Sequence, residues 1–381
     1  MGHYATRVNG MAIAVCRFVH TRIERLHRRA AEIPGLIPLA GGLPADELLP
    51  RNEIADALRA VQSSPTALQY GWPEGSEPLR HWIAKRLHAR GASSVTADDV
   101  VVTAGAQQAI ALAAAELVDP GRSVYVGVTS YPAAISALSL RGGVPSASRA
   151  AACAHYAMAG VSNPSGRDLL GRERDALLAS GAPIVVDEAY AELRFDDRSE
   201  RPLLVGAEDR VWHVGTVSKT LCPGLRVGWL VPPAGFRERV LERKHAADLQ
   251  AGSLGQAALA HFLDRFDYDA HVRRVRGIYR QRAETLVQAL ERHAPGFRFE
   301  HPEGGFSVWV ETDQRCDDVA LLACALRRGV SLDPGRLFRP DGARNPLSFR
   351  LCFSYAPRDA LEEGVRRVVA AVRDAERKYA A

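Results

Sequence analysis

Val211-Trp212-His213-Val214-Gly215-Thr216-Val217 runs directly into Ser218-Lys219-Thr220-Leu221-Cys222-Pro223-Gly224-Leu225-Arg226. The first segment reads as a buried strand ending just before polar and glycine-rich positions, the habit of a parallel strand covered on both faces. A lysine that follows directly from such a strand is placed for partial desolvation, which lowers its pKa and makes a nucleophilic amine available. Thr216 and Ser218 flank it with hydroxyls, and Arg226 follows in the same loop. Hydroxyls plus a guanidinium suit a phosphate dianion. Alone, the stretch is equally an ordinary strand-to-loop junction carrying a surface lysine.

Working outward, Val100–Thr103, Ser123–Val128 and Ile184–Val186 read as further buried strands. Ile54–Val61, Leu79–Leu87 and the alanine-rich run to Val118 carry helical spacing. Strands alternating with helices predict an α/β fold with a mostly parallel sheet covered on both faces. Ligands of such sheets sit beyond the carboxyl ends of the strands. A long helix is expected over Asp269–Arg292. Phe306–Val310, Leu347–Phe353 and a closing helix near Leu361–Val372 read as a smaller α+β unit. The expected division is an N-terminal arm with part of the small domain over 1–48, a large domain over 49–250 and a small C-terminal domain over 251–381. Residues 16–32 read as an arginine-rich helix with a solvated face.

With 381 residues, 47% of them apolar, the chain has material for two domains and a sizeable core. A net charge of +5 is far from the dense basic stripe of a nucleic-acid-binding surface, so no nucleic-acid partner is expected. The cysteines (Cys16, Cys153, Cys222, Cys316, Cys324 and Cys352) are scattered without a CxxC pair. That argues against a disulfide framework or a metal site and fits a reducing cytoplasm. Met11–Val19 is apolar but short, broken by Arg17 and without a small-residue cleavage site, so it is not read as a signal peptide. No apolar run approaches the roughly 20 residues that span a bilayer, and no membrane is expected. Met1–Thr6 fits the loose N-myristoylation pattern, for which chance is the better reading.

Three further clusters carry chemistry. Asp187 ends the apolar strand in Ile184-Val185-Val186-Asp187-Glu188-Ala189-Tyr190, where an unpartnered carboxylate is costly and a pyridinium N–H would serve as partner. Tyr190 lies in reach of the same ligand; the plainer reading of Asp187 is a cap on a following helix. Thr103-Ala104-Gly105-Ala106-Gln107-Gln108 leads from a strand into a helix, whose first N–H groups make an anion site. In Phe349-Arg350-Leu351-Cys352-Phe353-Ser354 the period of two sets Arg350, Cys352 and Ser354 on one face, and an arginine fork matches a carboxylate. Ser162-Asn163-Pro164-Ser165-Gly166 is a turn that, beside a pyridine ring, offers the Asn163 amide as a donor.

Set together, GGLP (Gly41–Pro44), QYGWPEGSEPLR (Gln69–Arg80), TAGAQQA, SNPSG, VVDEAY, SKTLCPGLRVGW and FRLCFS resemble the fold type I pyridoxal 5′-phosphate (PLP) aminotransferases of class I/II. The likeness is strongest to the 2-aminoadipate and multi-substrate branch, and it runs in order from Gly41 to Val369. The resemblance implies that Lys219 carries PLP as a Schiff base and shuttles the proton between the substrate Cα and cofactor C4′. It implies that Asp187 pairs with the pyridinium nitrogen, that Asn163 and Tyr190 hold the phenolic oxygen, and that Tyr131 stacks on the ring. Gly105, Ala106, Gln107, Thr216, Ser218 and Arg226 would cradle the phosphate, joined by Tyr70 across a homodimer interface. Arg350, assisted by Gly42, would clamp the substrate α-carboxylate.

The chain departs from its relatives in two places. Ala106 stands where serine is frequent, which removes one phosphate hydroxyl and leaves the backbone donor. The passage from Tyr131 to Asn163 is short, with an alanine-rich and poorly patterned Ala147–Ala159, so a trimmed large domain is expected.

The leading reading is transamination from an L-amino acid to a 2-oxo acid such as 2-oxoglutarate. The same scaffold also resembles PLP enzymes of specialised metabolism that eliminate, cyclise or oxidise arginine-type amino acids, such as capreomycidine synthase. Regulators that fuse a winged helix to an aminotransferase-like body are a third class, and the short segment before Gly41 argues against it. For the substrate side chain, Arg17 or Arg22 reading a distal carboxylate and Tyr4, Phe18 and Trp72 lining an apolar pocket stay as alternatives.

Overall fold

The computed structural model describes residues 23, 25–30, 32–169, 171–196, 198, 201–343 and 346–380. Tyr4, Arg17, Phe18, Arg22, Cys16 and the apolar stretch Met11–Val19 lie outside them. In chain order the strands are β1 (Ile37–Pro38), β2 (Val101–Thr103), β3 (Ser123–Tyr125), β4 (Val144–Ser146), β5 (Ala154–Met158), β6 (Ile184–Asp187) and β7 (Val211–Thr216). They continue with β8 (Gly228–Val231), β9 (Phe297–Phe299), β10 (Ser307–Thr312), β11 (Val330–Ser331), β12 (Asp333–Pro334) and β13 (Leu347–Cys352). The chain forms two compact units, each described here by itself.

The larger unit takes Leu43–Gln281 and Pro302–Phe306. Its seven-stranded sheet has the order β2-β8-β7-β6-β5-β3-β4. β7, β6, β5, β3 and β4 pair in parallel, while β8 runs antiparallel between β7 and β2. β5, β6 and β7 are buried along their whole length, as strands covered on both faces must be. The predicted helices are present as Arg51–Val61, Glu77–Ala89 and Ala106–Leu117. The passage from Tyr131 to Asn163, short as it is, still delivers the helix Pro132–Leu140 and the parallel strands β4 and β5.

Register decides where chemistry collects. Gly228, at the start of β8, lies opposite Thr103 at the end of β2 and opposite Thr216 at the end of β7. The ends of β2 and β7 therefore share one rim with the end of β6, where Asp187 sits. A Cβ on Gly228 would lie 2.6 Å from the backbone of Gly105 and Ala106, so only glycine lets β8 pass this close.

The smaller unit holds the described residues up to Gly42, Arg282–His301 and the chain from Ser307 on. Its antiparallel sheet has the order β12-β13-β10-β9, beside the parallel pair β1-β11. The closing helix Leu361–Ala380 buries Leu361, Val365, Val368, Val372 and Ala375, the three-to-four spacing of one inward stripe.

The division between units falls inside the long helix Tyr268–His293, not near residue 250. The reason is packing. Leu259 and Phe262 of the helix Ser253–Arg265, with Tyr268 and Val272 after them, are buried in the same core as Ala57, Leu79 and Ile83. Phe262 is 1% exposed. Phe262→Ala is expected to cost about 3–5 kcal/mol in urea unfolding, the usual loss for a buried aromatic side chain.

Candidate active site

Lys219 follows β7 and is half-buried, with its Nζ 5.7 Å from the Tyr190 ring centre and 5.9 Å from that of Phe306. Those two rings meet edge to face at 5.3 Å and form an apolar wall beside the amine. Asp187 ends β6 at 2% exposure. Its Oδ2 accepts from the Tyr156 hydroxyl at 2.7 Å, and its Oδ1 accepts from the Ala189 N–H at 3.0 Å. Burial pushes the Asp187 carboxyl above its ordinary value, against the pull of Tyr156, the Ala189 N–H and the nearby Lys219 ammonium. Burial also pushes the Tyr156 phenol far above its ordinary value, and the neighbouring Asp187, Tyr131 and Tyr190 add to the rise. Tyr156 therefore stays the donor. Lys219, Asp187, Tyr190 and Tyr131 are thus brought together, and Tyr156 is the member that the sequence reading missed.

The anion-binding part lies on the same rim. Gly105, at φ +82°, caps the helix Ala106–Leu117, whose first N–H groups have no partner within the helix. A Cβ on Gly105 would sit 2.5 Å from Arg226 Nη2, so the guanidinium closes directly over this turn. Arg226 donates to the Ala104 carbonyl at 3.1 Å and itself adopts the left-handed conformation, φ 54°. Thr216 Oγ1 lies 2.7 Å from the Val227 carbonyl and 2.9 Å from Ser218 Oγ. A carbonyl only accepts, so the Thr216 proton goes to Val227 and Ser218 is the hydroxyl able to reach an anion. Gln107 turns its side chain elsewhere, donating Nε2 to the Ala133 carbonyl at 3.0 Å.

The Asn163 turn follows β5. Asn163 is buried, donates its N–H to Met158 Sδ at 3.3 Å and precedes a cis proline. The loop is pinned by Arg194, which is buried and bonds both Asp168 and the Gly160 carbonyl. Tyr70 does not join this cluster within its own unit; it is 76% exposed.

In the smaller unit Arg350 is buried rather than solvated. Asp333 stands directly opposite it across β12 and β13. Asp333 Oδ2 accepts from Arg350 Nε at 3.0 Å, from Nη2 at 2.7 Å and from the Gly41 N–H at 3.0 Å. A Cβ on Gly42 would touch Arg350 Nη1 at 3.4 Å, so the glycine lets the backbone lie against the guanidinium. Asp333, a second residue the sequence reading missed, fixes the plane of the fork.

Comparison with known proteins matches the model of the family described as aminotransferase class I and II to residues 34–368. The 2-aminoadipate transaminase of Thermus thermophilus is 32% identical over 88% of this chain and 89% of that protein. Aromatic-amino-acid aminotransferase 1 of Thermococcus litoralis is 28% identical over 92% and 91%. Among solved structures, α-aminoadipate aminotransferase LysN of Thermus thermophilus, complexed with N-(5′-phosphopyridoxyl)-L-leucine, superposes with a TM-score of 0.83. It is 29% identical over 92% of this chain and 94% of that one.

Tyr156→Phe removes the Tyr156 hydroxyl from Asp187, leaves the Ala189 N–H in place and pushes the carboxyl higher still. Where Asp187 is ionised the expected stability loss is about 1.5–3 kcal/mol, typical of a hydrogen bond to a charged group. The hydroxyl favours the ionised form, so its contribution is present above the Asp187 pKa and fades as pH falls through it. Chemical unfolding of the cofactor-stripped protein at several pH values checks both the size and the sign.

Proposed function

The chain belongs to the class I and II aminotransferases and is PLP-dependent, and from that premise we propose that it moves the amino group of an L-amino acid to 2-oxoglutarate. The observation that supports this reading best is the meeting, on one sheet rim, of a lysine amine, a deeply buried carboxylate and an anion-binding turn. The residues fit the cofactor. Asp187 is a buried acceptor at the strand end, and Gly105, Ala106, Ser218 and Arg226 form a cradle that a Cβ at position 105 would fill.

Bound here, the cofactor supplies a sink for the electron pair left when the substrate Cα loses its proton. Lys219 would hold the cofactor through its amine and, once released, is the base placed to take the proton from the substrate Cα. The wall of Tyr190 and Phe306 limits water around that amine. Asp187, whose ionised form Tyr156 and the Ala189 N–H favour against burial, would pair with the ring nitrogen. Asn163 and Tyr190 would hold the phenolic oxygen, and Tyr131 would lie against the ring. The N–H groups at Gly105, Ala106 and Gln107 bind the phosphate with Ser218 and Arg226, while Thr216 orients Ser218. Arg350, its plane set by Asp333, takes the substrate α-carboxylate against the backbone of Gly42.

A homodimer is part of the same proposal, with Tyr70 completing the partner's phosphate site. Leu68, Tyr70 and Trp72 are 66%, 76% and 75% exposed, an apolar group that assembly would cover. Among the described residues no helix is long and apolar enough to cross a membrane. The scattered cysteines support a cytoplasmic location.

The test is the visible absorbance of the purified protein. An L-amino acid should convert bound PLP to the aminated cofactor, and 2-oxoglutarate should restore the original band. Loss of the band to a long-lived, long-wavelength species with no aminated cofactor would instead favour elimination or cyclisation. Arg350→Lys keeps the charge that Asp333 needs but loses the fork. It is expected to raise the amino-acid KM about a hundredfold and leave PLP affinity unchanged.

A further inference from the structure

The helix Arg237–Asp248 ends on an acid, although the carboxyl end of a helix is its negative end and disfavours one. Lys244, four residues earlier, pairs with Asp248 in the less favourable order for a helix. Lys244 is nevertheless 0% exposed and donates Nζ to Asp248 Oδ1 at 2.8 Å. A buried ammonium costs several kcal/mol unless its partner is well placed, so helix stability alone does not account for the pair.

The other oxygen of Asp248 shows where the pair leads. Oδ2 accepts from Gln108 Nε2 at 2.6 Å, and Gln108 Oε1 accepts the Ala104 N–H at 2.8 Å. Ala104 is the residue whose carbonyl receives Arg226, and it immediately precedes Gly105. The turn is thus gripped from both sides, through its carbonyl by Arg226 and through its N–H by Gln108. An amide side chain can flip; the carboxylate at Nε2 fixes which end of Gln108 faces the turn. Lys244 in turn holds the Asp248 carboxyl in place through Oδ1.

We propose that Lys244, Asp248 and Gln108 form a buried positioning relay that sets the Thr103–Gly105 turn for the phosphate of the cofactor. None of the three needs to touch the phosphate. The relay rests on the PLP assignment and adds to it the residues that hold the phosphate turn before the cofactor arrives.

The experiment is a titration of cofactor-stripped protein with PLP and, in parallel, with pyridoxal, which lacks the phosphate. Gln108→Ala should raise the PLP Kd about tenfold, the effect of one lost hydrogen bond plus the loosened turn, with pyridoxal affinity changed less than about twofold. Lys244→Met should act in the same direction, and Asp248→Asn, which keeps the shape and removes the charge, should give a smaller shift. Equal losses for both ligands would mean a general structural role and overturn the proposal. Unchanged PLP affinity in Gln108→Ala would overturn it as well. Wild-type binding of PLP with its visible band tests the cofactor assignment separately.

Discussion

A carboxylate at the end of the central strand of a sheet, at 2% exposure, is the constraint around which the larger unit is arranged. Buried, the Asp187 carboxyl demands hydrogen-bond partners, and the neighbouring parallel strand supplies one. β5 pairs with β6 in the register Tyr156↔Val185 and Met158↔Asp187, which brings the Tyr156 hydroxyl up to the acid. On the other side β7 pairs Asp187 with Val214 and then delivers Lys219 a few residues beyond its end. The order β5-β6-β7 therefore sets donor, acid and amine in a row. A buried carboxyl of this kind would weaken an ordinary core and marks a functional site.

The phosphate end depends on absent atoms. Gly105 leaves room for Arg226, and Gly228 leaves room for the turn at Gly105 and Ala106. Because Gly228 faces Thr103 and Thr216 together, one antiparallel strand holds the ends of β2 and β7 at a common height. Position 106 is an alanine without a hydroxyl, and with the Thr216 proton turned to Val227, Ser218 offers a hydroxyl beside this turn.

Much of this was legible in the sequence where chemistry and local pattern coincide. Lys219 and Asp187 stand at the ends of apolar runs, and their strands formed as read. Tyr156 was hidden because its partner lies across the sheet and its strand sits in an alanine-rich stretch with no clear period. Asp333 was hidden for a similar reason: Arg350 announces itself in a strand, but its opposite number comes from the two-residue strand β12. Lys244 sits in a helix with so many charges that it reads as solvated, and only packing shows it buried. The position of the unit division was illegible because one continuous helix serves both units, and no composition change marks Gln281.

The placement of β4 has an evolutionary meaning. It is the outermost strand of the large sheet, separated from β6 by β3 and β5, and its residues are partly exposed. Length can be gained or lost next to it without moving Thr103, Asp187 or Thr216, because no register at the rim passes through β4. The segment between Thr216 and Gly228 has less latitude, since it joins two paired strands at the rim and carries Lys219 and Arg226 there. The short passage before Asn163 includes this far edge of the sheet, where a change of length leaves the rim in place.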